Sequence, residues 1–239
     1  MGDSFTTPTI VVPVDATESI GPPPAVLEFL SPHRVVVLGY YMVPSQASPE
    51  QLRRSHEQEA IAVTDEIAEQ FDSRGADTES VVVFTHDRSE TIDRVASESD
   101  ADAVLTAGSV EGSFERVFVP LRGDRNIEPI VGFVGRLLAN SDAEVTLFTV
   151  NGSDATAGTE FRLRGAKERL VKDGVDSERI TVRREDAPRP DQAILAASNQ
   201  ADLLIVGESE PSLRERIFGV VTNSLVGKSN KPVLVVRSS

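Results

Sequence analysis

The 239-residue chain carries 38 acidic residues against 24 basic ones, a formal net charge of −14, which disfavours nonspecific binding to nucleic acid or to an anionic membrane face. It has no cysteine, which excludes disulfides and thiolate metal sites, and no apolar run nears the roughly 18 residues that a membrane span needs. A hydrophobic fraction of 39% is enough for a globular core, in one large domain or two small ones.

Thr9 to Asp15 reads as a strand ending on an acidic residue, placed where parallel sheets bind ligands and where strand-end carboxylates also cap local turns. Gly21-Pro22-Pro23-Pro24 then permits only a short helix around Ala25 to Leu30. Arg34 to Gly39 is a second strand. Pro49 to Arg74 is a long amphipathic helix with Leu52, His56, Val63, Ile67 and Phe71 on one stripe, Ser48 as its cap and Gly75 at its end. Ser80 to Thr85 is a third strand. Ser89 to Ser99 follows as a short helix with Ser89 as N-cap, and Ala103 to Gly108 is a fourth strand.

The pattern then restarts. Val117 to Arg122 repeats the first strand, and Ile127 to Ala139 is a helix. Glu144 to Val150 answers the second strand, Glu160 to Lys172 the long helix, Arg179 to Arg183 the third strand and Pro190 to Gln200 the short helix. Ala201-Asp202-Leu203-Leu204-Ile205-Val206-Gly207 answers Ala101 to Gly108, about a hundred residues earlier. A repeat of that length predicts two tandem α/β domains, residues 1–112 and 113–239, each a parallel sheet with right-handed crossovers. The copies are unequal. Only Ser109 to Phe114 separates the first copy's fourth strand from the second copy, so the first lacks the final helix and strand that the second keeps as Leu213 to Lys228 and Pro232 to Val236. The turn after Gly207 is where an open α/β sheet binds phosphate, because free backbone N–H groups and a helix dipole converge there.

Three stretches carry a family resemblance: Ile10-Val11-Val12-Pro13-Val14-Asp15; the Ala-Asp strand ending at Gly207; and Phe218-Gly219-Val220-Val221 followed by Lys231-Pro232-Val233-Leu234-Val235-Val236. Together they resemble the universal stress protein family over nearly the whole chain, as two tandem copies. The resemblance implies flavodoxin-like or adenine-nucleotide α-hydrolase-like sheets of five parallel strands, two copies forming a pseudo-dimer, and dimerisation through the last strand. With Pro232 to Val236 expected at a sheet edge, a homodimer of whole chains through that strand is expected too.

ATP-binding members of the family carry a Gly-x-x-Gly…Gly-Ser loop after the fourth strand and an acidic residue ending the first. Gly207 matches the first glycine, Glu210 stands at the second, Gly219 matches the third with the spacing one residue short, and Val220 replaces the serine. Thr222 and Ser224 keep hydroxyls one turn on. Arg122 occupies the acid position in the second copy, while Asp15 keeps the acid in the first, which has no phosphate loop. Asp15, Arg122, Gly207, Gly219 and Thr222 are thus the candidate cofactor-binding residues. A carboxylate at Glu210 would oppose a polyphosphate, since unit charges about 4 Å apart repel by about 4 kcal/mol at a surface-like dielectric. Folding without a nucleotide is therefore the expectation, with no cofactor. ATP or AMP binding through the second-copy loop is the alternative.

No Ser-His-Asp set, paired carboxylates or metal-ligand spacing stands out, and His33, His56 and His86 are scattered one per element. The chain thus reads as a non-enzymatic universal-stress-type protein acting by ligand sensing or protein contact, or alternatively as a soluble regulator docking on a membrane transporter. The acidic residues are spread along the chain and Lys167, Lys172, Lys228 and Lys231 are the lysines, a usage that fits solubility in high salt and equally an ordinary acidic protein. The start, MGDSFTTPTI, reads as no signal segment, and a cytoplasmic location is expected.

Overall fold

The computed structural model describes residues 7–106, 108, 112–121, 127–151, 158–208 and 231–237. Among them, nine strands form one sheet: β1 (Thr9–Asp15), β2 (Arg34–Met42), β3 (Asp77–Thr85), β4 (Ala103–Thr106), β5 (Arg116–Pro120), β6 (Glu144–Asn151), β7 (Ile180–Asp186), β8 (Leu203–Gly207) and β9 (Val233–Val236). Six α-helices accompany them: α1 (Pro24–Leu30), α2 (Pro49–Asp72), α3 (Arg88–Glu98), α4 (Ile127–Leu138), α5 (Gly158–Lys172) and α6 (Pro190–Ala197). The predicted helix from Leu213 to Lys228 lies outside the described residues.

The strand order is β3-β2-β1-β4-β9-β8-β5-β6-β7. The order of β1 to β4 recurs in β5 to β8, read from the other side of the sheet. Every pairing is parallel except that between β4 and β9, where Ala103 meets Val236 and Thr106 meets Val233. This corrects the sequence expectation for Pro232 to Val236. That strand is interior, hydrogen-bonded on one side to β4 and on the other to β8, so it has no open edge with which to meet another copy. The reason lies in the short first half. With no fifth strand after β4, the flank of β4 is free, and β9 fills it from within the same chain.

Strand alternation sorts the core onto two faces. Ile10, Val12 and Val14 face α1 and α2 in a continuous core that runs on through α4, α5, Leu203, Ile205, Leu234 and Val236. On the other face, Val11, Val36 and Leu38 pack with α3, while Phe118, Phe148, Leu204 and Val235 pack with α6. The helix α4 buries Ile130, Val131, Phe133, Val134, Leu137 and Leu138, most of its circumference, because it lies where the two halves meet.

Local endings repeat between the halves. Gly75 (φ +98°) and Gly174 (φ +99°) close α2 and α5 with matching bonds: Ala76 N–H reaches the Phe71 carbonyl at 3.3 Å and Val175 N–H the Leu170 carbonyl at 3.0 Å. Only glycine adopts that left-handed conformation without cost. Two caps differ from expectation. Ser48 occupies the N-cap position of α2 with Pro49 at the first helical position, but makes no side-chain cap bond. The cap of α3 is Asp87, whose Oδ1 accepts from Glu90 N–H at 3.0 Å, so Ser89 lies inside the helix. On α2 the innermost residues are Ala60, Thr64, Ile67, Ala68 and Phe71, with Leu52, His56 and Val63 half-buried at the border of that stripe.

Candidate functional site

Open parallel sheets bind ligands beyond the carboxyl ends of their strands, where the chain reverses its direction of winding. Because β4 and β9 run antiparallel, the carboxyl ends of β1 to β4 and of β5 to β9 face opposite ways. The chain has two such edges, one per half.

At the first edge, Asp15 ends β1 opposite Tyr40 of β2. The Asp15 Oδ1 accepts from Thr17 N–H at 2.9 Å and from Thr17 Oγ1 at 2.7 Å, so the carboxylate closes its own turn. The Arg88 guanidinium sits 4.7 Å from the centre of the buried Tyr40 ring. Burial pushes the Tyr40 phenol above its ordinary value, Arg88 pulls it back, and Asp15 and Glu18 push it up again. Behind them, Thr85 Oγ1 accepts from Asp87 N–H at 3.0 Å and from Thr91 Oγ1 at 2.8 Å, fixing the start of α3.

The end of β4 is closed. A Cβ placed on Gly108 would come within 2.3 Å of Lys231 C and Pro232 N, so the backbone entering β9 crosses directly over this glycine. The side chain of Lys231 is drawn the other way, donating to the Asn199 carbonyl at 2.6 Å and to the Ala201 carbonyl.

At the second edge, β8 ends at the half-buried Gly207, beside β5, which has β8 on one flank and β6 on the other. This is the reversal point of the second half. Glu208 follows, buried, its N–H donating to the Val236 carbonyl at 2.8 Å. Of the predicted ligand residues, Asp15 and Gly207 are therefore placed at opposite edges and share no crevice. Arg122, Gly219 and Thr222, like Glu210, lie outside the described residues. The charge-mixed run Arg183 to Asp186 is on β7, an outer strand, where Arg183 and Glu185 approach to 3.6 Å.

Sequence reasoning passed over Tyr40, Arg88 and Glu208. Tyr40 becomes notable only through its register with Asp15, and Gly108 only through a contact 124 residues away in the chain. A cleft of about 460 Å³ lies at the opposite, amino end of β5 and β6, lined by Phe114, Glu115, Arg116, Asp142 and Glu144, and includes none of the predicted ligand residues. Among the described residues no cluster of three or more His, Asp or Glu side chains could hold a metal ion, and no helix is long and apolar enough to cross a membrane.

Parallel strands with helices on both faces and a reversal of winding within each half define a flavodoxin-like α/β protein. Residues 113–237 match the model of the universal stress protein family, more than half of the chain, and the chain belongs to that family. Over its length it is similar in structure to a universal stress protein from Archaeoglobus fulgidus DSM 4304, with TM-score 0.71, 18% identity and 98% of each chain covered. It is similar also to a functionally unknown protein from Pseudomonas aeruginosa PAO1, with TM-score 0.60 and 12% identity over 98% of this chain and 93% of that one. A universal stress protein solved in complex with cAMP is similar over 55% of this chain and 100% of that one, with 24% identity and TM-score 0.44. No curated protein matches the chain in sequence.

Proposed function

We propose that this universal stress protein is non-catalytic, and that it acts through ligand sensing or protein contact in two tandem sheet copies joined into one body. The observation that carries the reading is the closure over Gly108. The first half keeps the acid, Asp15, but its carboxylate is bound to Thr17 and the end of β4 lies under the Lys231–Pro232 backbone. A phosphate cradle needs glycine backbone open to a ligand, and here the space above the glycine is filled by chain. The second half keeps Gly207 at its reversal point but has Arg122 in place of the acid and Glu210 in place of the second glycine. Neither half thus offers the acid together with an intact loop.

Thermal unfolding with and without ATP and Mg²⁺ tests this. A site in the second half would stabilise the chain by about 2.7 kcal/mol at a hundred times its dissociation constant. The expected result is no shift at millimolar nucleotide and no phosphate release above a buffer blank. A saturable shift abolished by Gly207→Val would favour the second reading, an ATP- or AMP-binding protein, which Gly207 at the strand reversal supports.

A further inference from the structure

The sheet ends on two outer strands, β3 in the first half and β7 in the second, and among the described residues no strand pairs with the far side of either. The two hold equivalent places. Pro13 of β1 lies beside Leu38 of β2 and Leu38 beside Val81 of β3, while Pro120 of β5 lies beside Phe148 of β6 and Phe148 beside Arg183 of β7. Val81, Val82, Val83 and Phe84 therefore stand where the second half has Arg183, Arg184, Glu185 and Asp186. Charged side chains on an outer strand keep other strands from pairing with it, because a partner would have to desolvate and oppose them. The β7 edge is guarded in this way and the β3 edge is not. All four of those β3 residues are half-buried. On α2, Asp65 accepts from Ser80 Oγ of β3 at 2.6 Å, and Ile61, one turn earlier on the same face, is 40% exposed.

The open side of β3 has a definite hydrogen-bonding pattern. Asp77 N–H donates to the His33 carbonyl at 3.3 Å, and the Thr85 carbonyl accepts from Val43 N–H at 2.8 Å, so Asp77 and Thr85 both face β2. Main-chain groups alternate sides along a strand, so Thr78, Ser80, Val82 and Phe84 turn their N–H and C=O to the open edge. We propose that this edge is a self-association surface whose partner is β3 of a second copy of the chain, antiparallel and centred on Val81. In that register Ser80 meets the partner's Val82 and Thr78 the partner's Phe84, each pair exchanging main-chain bonds, while Val81 meets its own counterpart. The charges favour the same arrangement. Both carboxylates of the strand, Asp77 and Glu79, lie toward one end, and Glu79 is already paired with Arg34 at 2.9 Å. Antiparallel pairing sets Asp77 against Thr85 and Glu79 against Val83, whereas parallel pairing would set carboxylate against carboxylate. The surface does not depend on whether a nucleotide binds.

Sedimentation of the full chain, with hydrogen exchange of its β3 amides, is the test. Each copy carries a net charge of −14, so association should tighten as salt rises from about 0.1 M to about 1 M, where the screening length falls from about 10 Å to about 3 Å. The expected species has the mass of two chains. Val81→Arg, which places there the residue of β7, sets like charges against each other at the centre and should weaken association about tenfold or more. Val82→Pro removes an outward N–H without losing a bond to β2, and should weaken it likewise. In the wild type, the amides of Thr78, Ser80, Val82 and Phe84 should gain protection as concentration rises, while those of Glu79, Val81 and Val83, which face β2, change little. That pattern needs no variant, so it decides even if neither variant folds. A single-chain mass at both salts and every concentration, or an associated species that leaves the four outward amides unprotected, overturns the proposal.

Discussion

Arg136, on α4 of the second half, pairs through Nη2 with the carboxylate of Asp102, which stands just ahead of β4 in the first. The other oxygen of Asp102 accepts from Thr9 N–H at 2.9 Å, so one side chain ties the start of β1 to the helix at the junction. The Arg136 Nε is buried without a partner, which makes the remaining bond to Asp102 the more important.

Breaking this pair should therefore weaken the whole sheet and not one half alone. Arg136→Met keeps the apolar stem and removes the charge; Asp102→Asn keeps an acceptor for Thr9. Each is expected to cost about 1–3 kcal/mol in urea unfolding, as for a hydrogen bond to a partly buried charge. The double variant should cost clearly less than the sum, since the two residues share one interaction. Strict additivity would mean that the pair contributes nothing of its own.

The same position in the second half is Asp202, and here the partners come from its own side of the junction. Asp202 Oδ2 accepts from Arg116 N–H at 2.9 Å and from Glu115 N–H at 3.2 Å, while Oδ1 meets Arg116 Nη2 at 2.9 Å. Burial works to raise this carboxyl, but the side-chain and backbone bonds from Arg116 outweigh it and hold it below the ordinary carboxylate range. A carboxyl lowered on folding stabilises above its unfolded value, about pH 4, and loses that contribution as pH falls through the folded value. Asp202→Asn should lower the unfolding temperature at neutral pH and flatten the acid limb below about pH 4. A wild-type acid limb that persists unchanged in the variant would contradict this.

Asp87 and Ser89 are both residues that cap helices well, and the chain pattern points to Ser89. The structure chooses Asp87, because β3 runs on to Thr85 and leaves Asp87 at the turn into α3. Asp87→Ala should cost about 1 kcal/mol, the usual worth of an N-cap. Ser89→Ala should change stability by less than about 0.5 kcal/mol, as for a surface site without special contacts. Chemical denaturation of the two variants side by side separates them.

What the chain pattern made plain was the set of elements. Runs such as Val35-Val36-Val37-Leu38 and Leu203-Leu204-Ile205-Val206 are buried on both faces and so carry no polar alternation, which is how interior parallel strands read. Pairing across the junction was harder to read. Val233 to Val236 are fully buried, yet an unbroken apolar run says only that both faces are covered, not which strands lie alongside. The antiparallel join to β4 follows from the missing fifth strand of the first half, a relationship between segments more than a hundred residues apart. Asp15 was legible as a strand-end acid because of its position in the run. Its engagement with Thr17 was not, since an aspartate two residues before a threonine serves either a ligand or a turn.

Two glycines show how differently one residue type can be constrained. Gly39 of β2 lies under α2, where an added Cβ would fall 2.0 Å from Oγ1 of the fully buried Thr64, which itself donates to the Ala60 carbonyl at 2.7 Å. Gly108 would meet backbone atoms of Lys231 and Pro232 at 2.3 Å. Both alanine variants overpack a close contact and should cost about 1–3 kcal/mol or more. They differ in what can give way. Removing the hydroxyl and methyl of Thr64 relieves the nearest contact, so Thr64→Ala should recover part of the loss in Gly39→Ala, measured as a coupling in a double-mutant cycle. No side-chain change can move the backbone over Gly108, so Gly108→Ala should displace β9 from β4. Its signature is faster hydrogen exchange at Val233 to Val236 and Ala103 to Thr106 together, with β6 and β7 unaffected. Protection that falls evenly across all nine strands would instead mean that the join between β4 and β9 has no independent weakness.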